Sequence, residues 1–239
     1  MADLKKIAIL TSGGDSPGMN AATRAAARTA IAKGIEVVGI MRGFEGLLEG
    51  DFRPLGARDV GGIIHRGGTI LQTARSSRFM ESEWQDRAAG NLLEAGVEGL
   101  VVIGGDGSFR GADELRKRGI AVAGIPGTID NDIAGTDLTI GFRTAVETAL
   151  DAVMRLRDTA SSHDRLFVVE VMGGRSGFLA LDVAVAGGAE AVIVPEVQFS
   201  LGRLIDRLHD ARRKGKTHSL IILAEGVMPA RELRDRIQD

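Results

Sequence analysis

Residues 7–22 read IAILTSGGDSPGMNAA, an apolar run that stops at a Gly-Gly doublet and continues as a helix-like stretch. Two more runs do the same, LVVIGGDGSFRGA from Leu100 and VVEVMGGRSGFLAL from Val168, and a fourth, AVAGIPGTIDND from Ala121, ends in an acidic loop. An apolar run that ends at glycine before a helix is typical of a βα junction. Because open parallel sheets bind ligands outside the carboxyl ends of their strands, the four junctions predict one phosphate-binding crevice.

Composition excludes several classes of function. The chain has 239 residues, of which 44% are hydrophobic and 26% charged, as expected for one large or two modest globular domains. A net charge of −2 gives no general attraction for nucleic acid or an anionic membrane. The lack of cysteine excludes disulfides, thiolate metal sites and thiol catalysis. The N-terminal apolar patch is too short for a secretory signal or a membrane span, so we expect a cytoplasmic protein.

Apolar runs alternate with amphipathic stretches of helical length, which predicts an α/β doubly wound fold with mainly parallel sheets. The predicted strands are Ile7–Leu10, Val37–Ile40, Leu100–Ile103, Val122–Ile125, Leu166–Val171, Ala191–Val194 and Leu220–Leu223. The predicted helices are Met19–Lys33, Glu83–Ala95, Gly111–Arg118, Ile140–Asp158, Phe178–Ala186 and Leu201–Lys214. The long helix from Ile140 places a boundary between two lobes near residue 140. The final PARELRDRIQD begins a polar helix and stops, so the chain looks truncated.

Two glycine-rich motifs could hold phosphate. In GGDG, Gly104–Gly107, backbone N–H groups can surround phosphate oxygens and Asp106 can hold Mg²⁺. The alternative is a tight turn with Asp106 as a helix cap. In TSGGDSPGMN, from Thr11, the following helix N-terminus can bind an anion, the alternative being a cap at Asp15 or Ser16. Neither motif matches the Walker or the dinucleotide-binding pattern.

PGTIDND, residues 126–132, is the sharpest motif. Asp130 and Asp132 are two positions apart, and carboxylates this close do not easily both ionise without a cation or donors nearby. Such a pair suits base catalysis, while the alternative is a loop of turn-forming residues. Arg75, Arg165 and Arg175 lie in predicted loops and could bind phosphate, although each alone is typical of a solvated surface.

These motifs together resemble the bacterial-type ATP-dependent 6-phosphofructokinases. The resemblance runs from Lys6 to about Glu225 and includes TSGGDSPGMNAA, HRGGT, GGDGS, PGTIDND, VVEVMG, AGGAE and VPE. It implies the phosphofructokinase fold of two Rossmann-like lobes, C-terminally incomplete, with a nucleotide and Mg²⁺ lobe over residues 1–139 and a truncated sugar-phosphate lobe over 140–239. It also implies a glycolytic, allosteric kinase that transfers a phosphoryl group from MgATP to fructose 6-phosphate.

The resemblance also implies residue roles. Asp130 would be the base that takes the proton from the 1-hydroxyl of the sugar, and Arg75 would stabilise charge on the moving phosphoryl group. The catalytic set would be Asp130, Thr128, Arg75 and Gly14. ATP would contact Gly14, Phe44, Arg75, Ser76, Asp106, Gly107, Ser108 and Gly111, with Asp106 holding Mg²⁺. The sugar phosphate would contact Thr128, Asp130, Asp132, Arg165, Met172, Gly173 and Glu225. Arg165 would reach the 6-phosphate in a neighbouring subunit of a homotetramer.

The resemblance addresses the phosphate donor and the effectors as well. Relatives that use pyrophosphate carry Asp at the position of Gly107 and Lys at that of Gly127, so glycine at both predicts ATP. An effector site for ADP or phosphoenolpyruvate would comprise Arg24, Arg28, Arg157, Glu190, Lys214 and Lys216. Arg24 and Arg28 share one helix face, which is otherwise typical of a solvated surface. A further arginine of that family site appears here as Ala57, with Arg58 beside it.

Two departures from the family pattern bear on activity. Gly174 stands where the family has arginine, followed by Arg175, so a phosphate-stabilising charge is either displaced or lost. The family's later GHIQRGG-like segment is absent, so we expect weak or no turnover from residues 1–239 alone. A non-catalytic binding or regulatory module is therefore a second hypothesis. A kinase for a lipid or nicotinamide substrate on the same fold is a third.

Overall fold

The computed structural model describes residues 4–163 and 165–238, without the side chains of residues 161 and 163. The chain divides into two compact units. Unit 1 comprises the residues up to Thr128 together with Ile133–Thr136. Unit 2 comprises Ile129–Asp132 and the residues from Asp137 onward. The predicted boundary between residues 139 and 140 thus lies inside unit 2, because the end of the PGTIDND loop already belongs to it.

The sheet of unit 1 places five strands side by side in the order β3-β2-β1-β4-β5. They are β1 (Lys6–Thr11), β2 (Glu36–Ile40), β3 (Phe52–Pro54), β4 (Gly99–Gly104) and β5 (Ala121–Thr128). All neighbouring pairs are parallel except β2 and β3. Therefore β1, β4 and β5 end at the same edge of the sheet, which is where a doubly wound fold binds its ligands.

Helices cover both faces of this sheet, because successive side chains of a strand point to opposite faces. Ala8 and Leu10 pack in one buried cluster with residues of α2, α3 and α4, whereas Ile7 and Ile9 pack in another with residues of α1. The helices are α1 (Met19–Ala32), α2 (Gly43–Glu49), α3 (Ser82–Glu94) and α4 (Asp106–Lys117), with a single 3₁₀ turn at Arg78–Met80.

Unit 2 contains a parallel sheet in the order β7-β9-β8. Its elements are β6 (Ile140–Gly141), α5 (Phe142–His163), β7 (Leu166–Val171), α6 (Phe178–Gly187), β8 (Ala191–Ile193), α7 (Leu201–Arg213), β9 (Ser219–Ala224) and α8 (Ala230–Gln238). The central strand β9 is buried along almost its whole length. One cluster joins β9 to α5 and α6, and a second joins it to α7 and α8.

Every predicted strand and helix is present, and the α/β fold class is confirmed. Two starts were predicted wrongly. Helix α4 begins at Asp106 rather than at Gly111. Glycine disfavours helix interiors, but Gly107 and Gly111 are both accommodated within this helix. Helix α5 begins at Phe142, since residues 140 and 141 form a short strand. No helix within the described residues is both long and apolar enough to cross a lipid bilayer.

Candidate active site

The loops that follow β1 and β4 touch at the edge of the unit 1 sheet. The Ser12 N–H donates to the Ile103 carbonyl at 3.0 Å. A Cβ placed on Gly104 would lie 2.5 Å from Ser108 Oγ and 2.6 Å from the Ser12 carbonyl oxygen. These distances are too short for any side chain, so glycine at 104 is required for the two loops to meet. The predicted phosphate motifs TSGGD and GGDGS are therefore neighbours.

Both helices that leave these loops begin without a side-chain cap. Gly18, with φ of 90°, precedes α1, and Gly105 precedes α4. The alternative of an N-cap at Asp15 or Ser16 is wrong, and Asp106 is the first helical residue rather than a cap. The first N–H groups of a helix have no partner within the helix, so two helix N-termini meet the strand edge ready for an anion.

The end of β5 joins this edge through two glycine contacts. A Cβ on Gly105 would lie 3.5 Å from Thr128 Cβ, and one on Gly127 would lie 3.6 Å from Ser16 Oγ and 3.1 Å from Ile103 Cγ2. By contrast, a Cβ on Gly14 or Gly107 would meet nothing within 4 Å. Packing therefore explains glycine at 127, but it leaves open space beside Gly14 and Gly107.

Arg75 reaches the same edge on a separate loop. Thr73 Oγ1 donates to the Gly13 carbonyl at 2.6 Å, and Thr11 Oγ1 donates to the Gln72 carbonyl at 2.9 Å. These bonds tie the segment before Arg75 to the end of β1. The Arg75 guanidinium is exposed and has no ion pair or hydrogen bond to the described residues. It is thus available to a ligand.

Phe44, a predicted ATP contact, packs into the core. Phe44 is 6% exposed, and its ring centroid is 4.3 Å from that of Phe79. A Cβ on Gly111 would lie 2.7 Å from Phe44 Cζ, so Gly111 allows the ring to pack against α4. The Ser76 hydroxyl and the Arg78 guanidinium hold the pKa of the Glu45 carboxyl below its ordinary value. The nucleotide contacts of Phe44, Ser76 and Gly111 stay predictions.

Asp106 is the candidate magnesium ligand. Its exposed carboxylate forms an ion pair with Arg110 one helical turn later. Across residues 4–163 and 165–238, no three His, Cys, Asp or Glu side chains gather into a metal site. A single exposed carboxylate such as that of Asp106 can bind Mg²⁺, which commonly takes one or two carboxylates together with waters and substrate phosphates.

The carboxylate of Asp130 lies against the turn that follows β7 in unit 2. A Cβ on Gly174 would be 3.1 Å from Asp130 Oδ2, and the Ser176 hydroxyl donates to the Asp130 carbonyl at 2.6 Å. Glu225, directly after β9, accepts hydrogen bonds from the Gly173 and Gly174 N–H groups at 3.1 and 2.8 Å. The structure therefore brings together Asp130, Gly173 and Glu225 at one strand edge.

The rest of the acidic loop is held by its asparagine. Asn131 has φ of 53°, a left-handed conformation that asparagine tolerates, and its Oδ1 accepts the Thr139 N–H at 2.9 Å. The neighbouring Asp132 side chain is exposed. Met172, at the end of β7, is 62% exposed, as suits a residue predicted to face the sugar.

Arg165 lies at the other end of the unit 2 sheet. It precedes β7, whereas Gly173 and Glu225 follow β7 and β9. Six residues of strand separate the two edges by roughly 20 Å. There Arg165 lines a cavity of about 620 Å³ with Arg231 and Arg234 of α8. Within unit 2, Arg165 is therefore not brought together with Gly173 and Glu225.

Comparison with known proteins identifies the family. The family model described as phosphofructokinase matches residues 6–239. The chain belongs to the phosphofructokinase family. A relative from Listeria welshimeri, named ATP-dependent 6-phosphofructokinase, is 55% identical over 236 residues, which are 99% of this chain and 74% of that protein. A relative of the same name from Natranaerobius thermophilus is 52% identical over 236 residues, again 99% and 74% of the two chains.

Solved phosphofructokinases share the fold. The structure from Saccharomyces cerevisiae is 40% identical with a TM-score of 0.91, and the match covers 98% of this chain and 36% of the yeast chain. A pyrophosphate-dependent phosphofructokinase from Marinobacter aquaeolei is 20% identical with a TM-score of 0.81 over 98% of this chain and 65% of its own, which shows the fold alone. The predicted phosphofructokinase family is confirmed, and the non-catalytic module is not favoured.

The residues predicted for an effector are divided between the units. In unit 2, Arg157 Nη2 donates to the Gly188 carbonyl at 2.8 Å, and Lys216 Nζ lies 2.7 Å from Glu190 Oε1. These side chains gather before β8 and β9. In unit 1, Arg24 Nη1 donates to the Val60 carbonyl at 3.1 Å. The charged groups of Arg28 and Lys214 have no partner among the described residues. The effector role in this phosphofructokinase stays a prediction.

Two features of this phosphofructokinase were not predicted from its sequence. Ser176 and Thr73 bond to backbone carbonyls far along the chain, and only their place within GGRSG and TARSSR could have drawn attention to them. A cavity of about 320 Å³, lined by Arg53, Asp59 and Arg66, was also not predicted. Its lining comes from an irregular stretch that carries no recognisable spacing.

Proposed function

We propose that the protein transfers the γ-phosphoryl group of MgATP to the 1-hydroxyl of fructose 6-phosphate, giving fructose 1,6-bisphosphate and ADP. Asp130 accepts the hydroxyl proton as that oxygen bonds to the γ-phosphorus and the bond from phosphorus to the β–γ bridging oxygen breaks. The meeting of the β1, β4 and β5 ends beside two uncapped helix N-termini is the observation that carries this proposal. It provides the positioning and charge neutralisation on which phosphoryl transfer depends.

The nucleotide role rests on unit 1. Backbone N–H groups near Gly14, Gly107 and Ser108 bind phosphate oxygens, and Asp106 holds Mg²⁺, which would neutralise charge on the phosphates. The Asp106 carboxylate is exposed and, among the described residues, its ion pair is with the surface residue Arg110, so it can exchange that partner for a hydrated ion at little cost. The unpaired Arg75 stabilises the phosphoryl group in transfer.

The sugar role rests mainly on unit 2. Thr128 and Asp132 orient the sugar about Asp130, while Met172, Gly173 and Glu225 contact it. Arg165 binds the 6-phosphate of the fructose 6-phosphate that occupies the site of a neighbouring subunit. This role agrees with the place of Arg165 at the opposite edge of the sheet. Such a shared site requires an oligomer, and we propose a homotetramer.

Helix α6 supports assembly. It is apolar on nearly all sides, and Leu179 and Val183 are buried, yet Phe178, Leu181 and Val185 are 48%, 44% and 75% exposed. A helix that is apolar all round is typical of a buried position. We infer that a second copy of the chain covers this face.

The proposed location of the protein is the cytoplasm. ADP or phosphoenolpyruvate is the proposed effector, bound at the predicted effector site that includes Arg24 and Glu190.

The donor is proposed to be ATP rather than pyrophosphate. A side chain at residue 107 would enter open space, so Gly107 is not required by packing. We infer that the α-phosphate of a nucleotide uses this space. Gly107→Asp would place a carboxylate there and should weaken MgATP binding at least tenfold, because it adds both bulk and negative charge.

Isothermal titration of MgATP tests the donor, with Gly202→Asp as a matched control. Gly202 is also the second residue of a helix, and a Cβ there also meets nothing within 4 Å. The control should bind MgATP as the wild type does. The assignment would be contradicted if both variants weakened MgATP binding equally. It would also be contradicted if the enzyme expressed from its whole reading frame used pyrophosphate in preference to ATP.

A further inference from the structure

We propose that Ser176 is a positioning residue for the catalytic base Asp130. The inference rests on the proposed function, in which Asp130 deprotonates the sugar hydroxyl. Ser176 does not touch the Asp130 carboxylate. It fixes the backbone from which that carboxylate extends, and so determines where the proton acceptor lies.

The contact is a partly buried hydrogen bond between distant parts of the chain. Ser176 is 7% exposed, and its hydroxyl donates to the Asp130 carbonyl at 2.6 Å across 46 residues of sequence. Asp130 itself is intermediate in burial. Removing the hydroxyl would therefore take away a bond that fixes the backbone of the base.

Ser176 is itself held rigidly. Its N–H donates to the Gly173 carbonyl at 2.9 Å, and a Cβ on Gly173 would lie only 2.8 Å from the Ser176 carbonyl oxygen. Gly173 and Gly174 have φ values of 141° and 60°, and both donate their N–H groups to Glu225. The turn is thus fixed to the end of β9, and the hydrogen bond from Ser176 fixes the Asp130 backbone to the turn.

The base is confined on two other sides. Gly174 comes so close that a Cβ there would be 3.1 Å from Asp130 Oδ2. The next residue, Asn131, is held in the left-handed region by its side-chain bond to the Thr139 N–H. Of the bonds described above, the one from Ser176 acts directly on the Asp130 backbone. Its loss would remove one restraint on the peptide of the base while Asn131 stays in place.

A double-mutant cycle tests this role in the enzyme expressed from its whole reading frame. Ser176→Ala should lower kcat about 10- to 100-fold, since misplacing a catalytic group by about 1 Å can cost this much. MgATP affinity should stay within about twofold, because Ser176 belongs to unit 2 whereas the proposed nucleotide residues belong to unit 1. In an Asp130→Ser background, Ser176→Ala should cause no further loss of residual kcat.

Two further variants complete the test. Ser176→Cys keeps a weak donor of similar shape and should give a kcat between those of the wild type and Ser176→Ala; it also serves if the alanine variant does not fold. Ser162→Ala removes a comparable bond, 2.9 Å from Ser162 Oγ to the Asp158 carbonyl on the exposed side of α5, and should leave kcat unchanged.

The outcomes separate this inference from the proposed function. A wild-type kcat in Ser176→Ala, or the same loss in both the wild-type and the Asp130→Ser backgrounds, would overturn the role of Ser176 alone. A wild-type kcat in the single variant Asp130→Ser would overturn the proposed function, and the inference with it.

Discussion

At the residue scale, Glu190 shows how one buried charge connects separate segments of unit 2. Its side chain is 8% exposed, pairs with Lys216, and accepts the Leu220 N–H at 2.7 Å. Burial by itself would raise the pKa of the Glu190 carboxyl. The Lys216 ammonium and the Leu220 N–H lower it by more, so its pKa lies below the ordinary 4.5.

This shift predicts a pH-dependent contribution to stability. A carboxyl whose pKa is lower in the folded state stabilises the fold above its unfolded pKa, and the effect is lost as pH falls through the folded pKa. Glu190→Gln should reduce the free energy of unfolding by about 1–2 kcal/mol near neutral pH, and the difference should shrink as pH falls below 4.5 and through the folded pKa. Urea unfolding across this range measures it.

The control for Glu190 is an exposed pair in the same unit. Glu232 pairs with Arg236, and both side chains are nearly half exposed. Glu232→Gln should change the free energy of unfolding by less than about 0.5 kcal/mol, because exposed ion pairs contribute little. A Glu190→Gln effect that is equally large at low pH would show that shape, not charge, causes it.

Single residues also show how far the sequence predicts the site. Gly173 and Glu225 are brought together because the parallel strands β7 and β9 end at one edge, and Asp130 meets them through its contacts with Gly174 and Ser176. Ser176 was not predicted, because a serine bond to a backbone carbonyl 46 residues away leaves no local pattern. An arginine at residue 174 would be strained in this turn, because φ is 60° and a Cβ would lie 3.1 Å from Asp130 Oδ2.

At the scale of elements, regular periodicity predicted the long helices and the buried strands. The residues at which these elements begin and end were predicted less accurately. Helix α2 was missed because it has seven residues, begins at Gly43 and ends just before Gly50. Strand β3 was missed because it has three residues and ends at Pro54, which is typical of an edge strand. Elements this short depend on tertiary packing more than on their own sequence.

Two helical glycines give an element-scale prediction. A Cβ on Gly46 in α2 would lie 1.7 Å from the Met41 carbonyl oxygen, whereas a Cβ on Gly90 in α3 would meet nothing within 4 Å. Gly46→Ala should reduce the free energy of unfolding by about 3 kcal/mol or more, since the backbone must move. Gly90→Ala should increase it by about 0.5–1 kcal/mol.

Thermal and urea unfolding of the two alanine variants compares them directly. Both changes add one methyl group to a helix of unit 1, so they differ only in the space around it. Equal effects of the two variants would show that α2 does not approach Met41 as closely as the structure has it.

At the scale of the whole molecule, the proposed role of Arg165 would make the active site a property of the assembly. Asp130→Ser and Arg165→Ser subunits should each be inactive alone, because each lacks one part of every site. If a subunit's Asp130 works with a neighbour's Arg165, mixed assemblies contain some sites with both native residues. Because a two-fold interface pairs the same residues reciprocally, an equal mixture should recover about a quarter of wild-type activity.

The mixture is made by unfolding and refolding the two inactive proteins, expressed from the whole reading frame, together. Each protein refolded alone is the control and should remain inactive. If the mixture stays as inactive as its parents, while mixed assemblies are seen by mass spectrometry, Arg165 does not serve a neighbouring site.

The base role of Asp130 is the central claim, and the turnover of Asp130→Ser tests it most directly. The serine variant, expressed from the whole reading frame, is compared with the wild type in a coupled assay for ADP release at saturating MgATP and fructose 6-phosphate. We predict that kcat falls by several orders of magnitude while both substrates still bind, since a base acts mainly in the transition state. A kcat equal to that of the wild type would contradict the account.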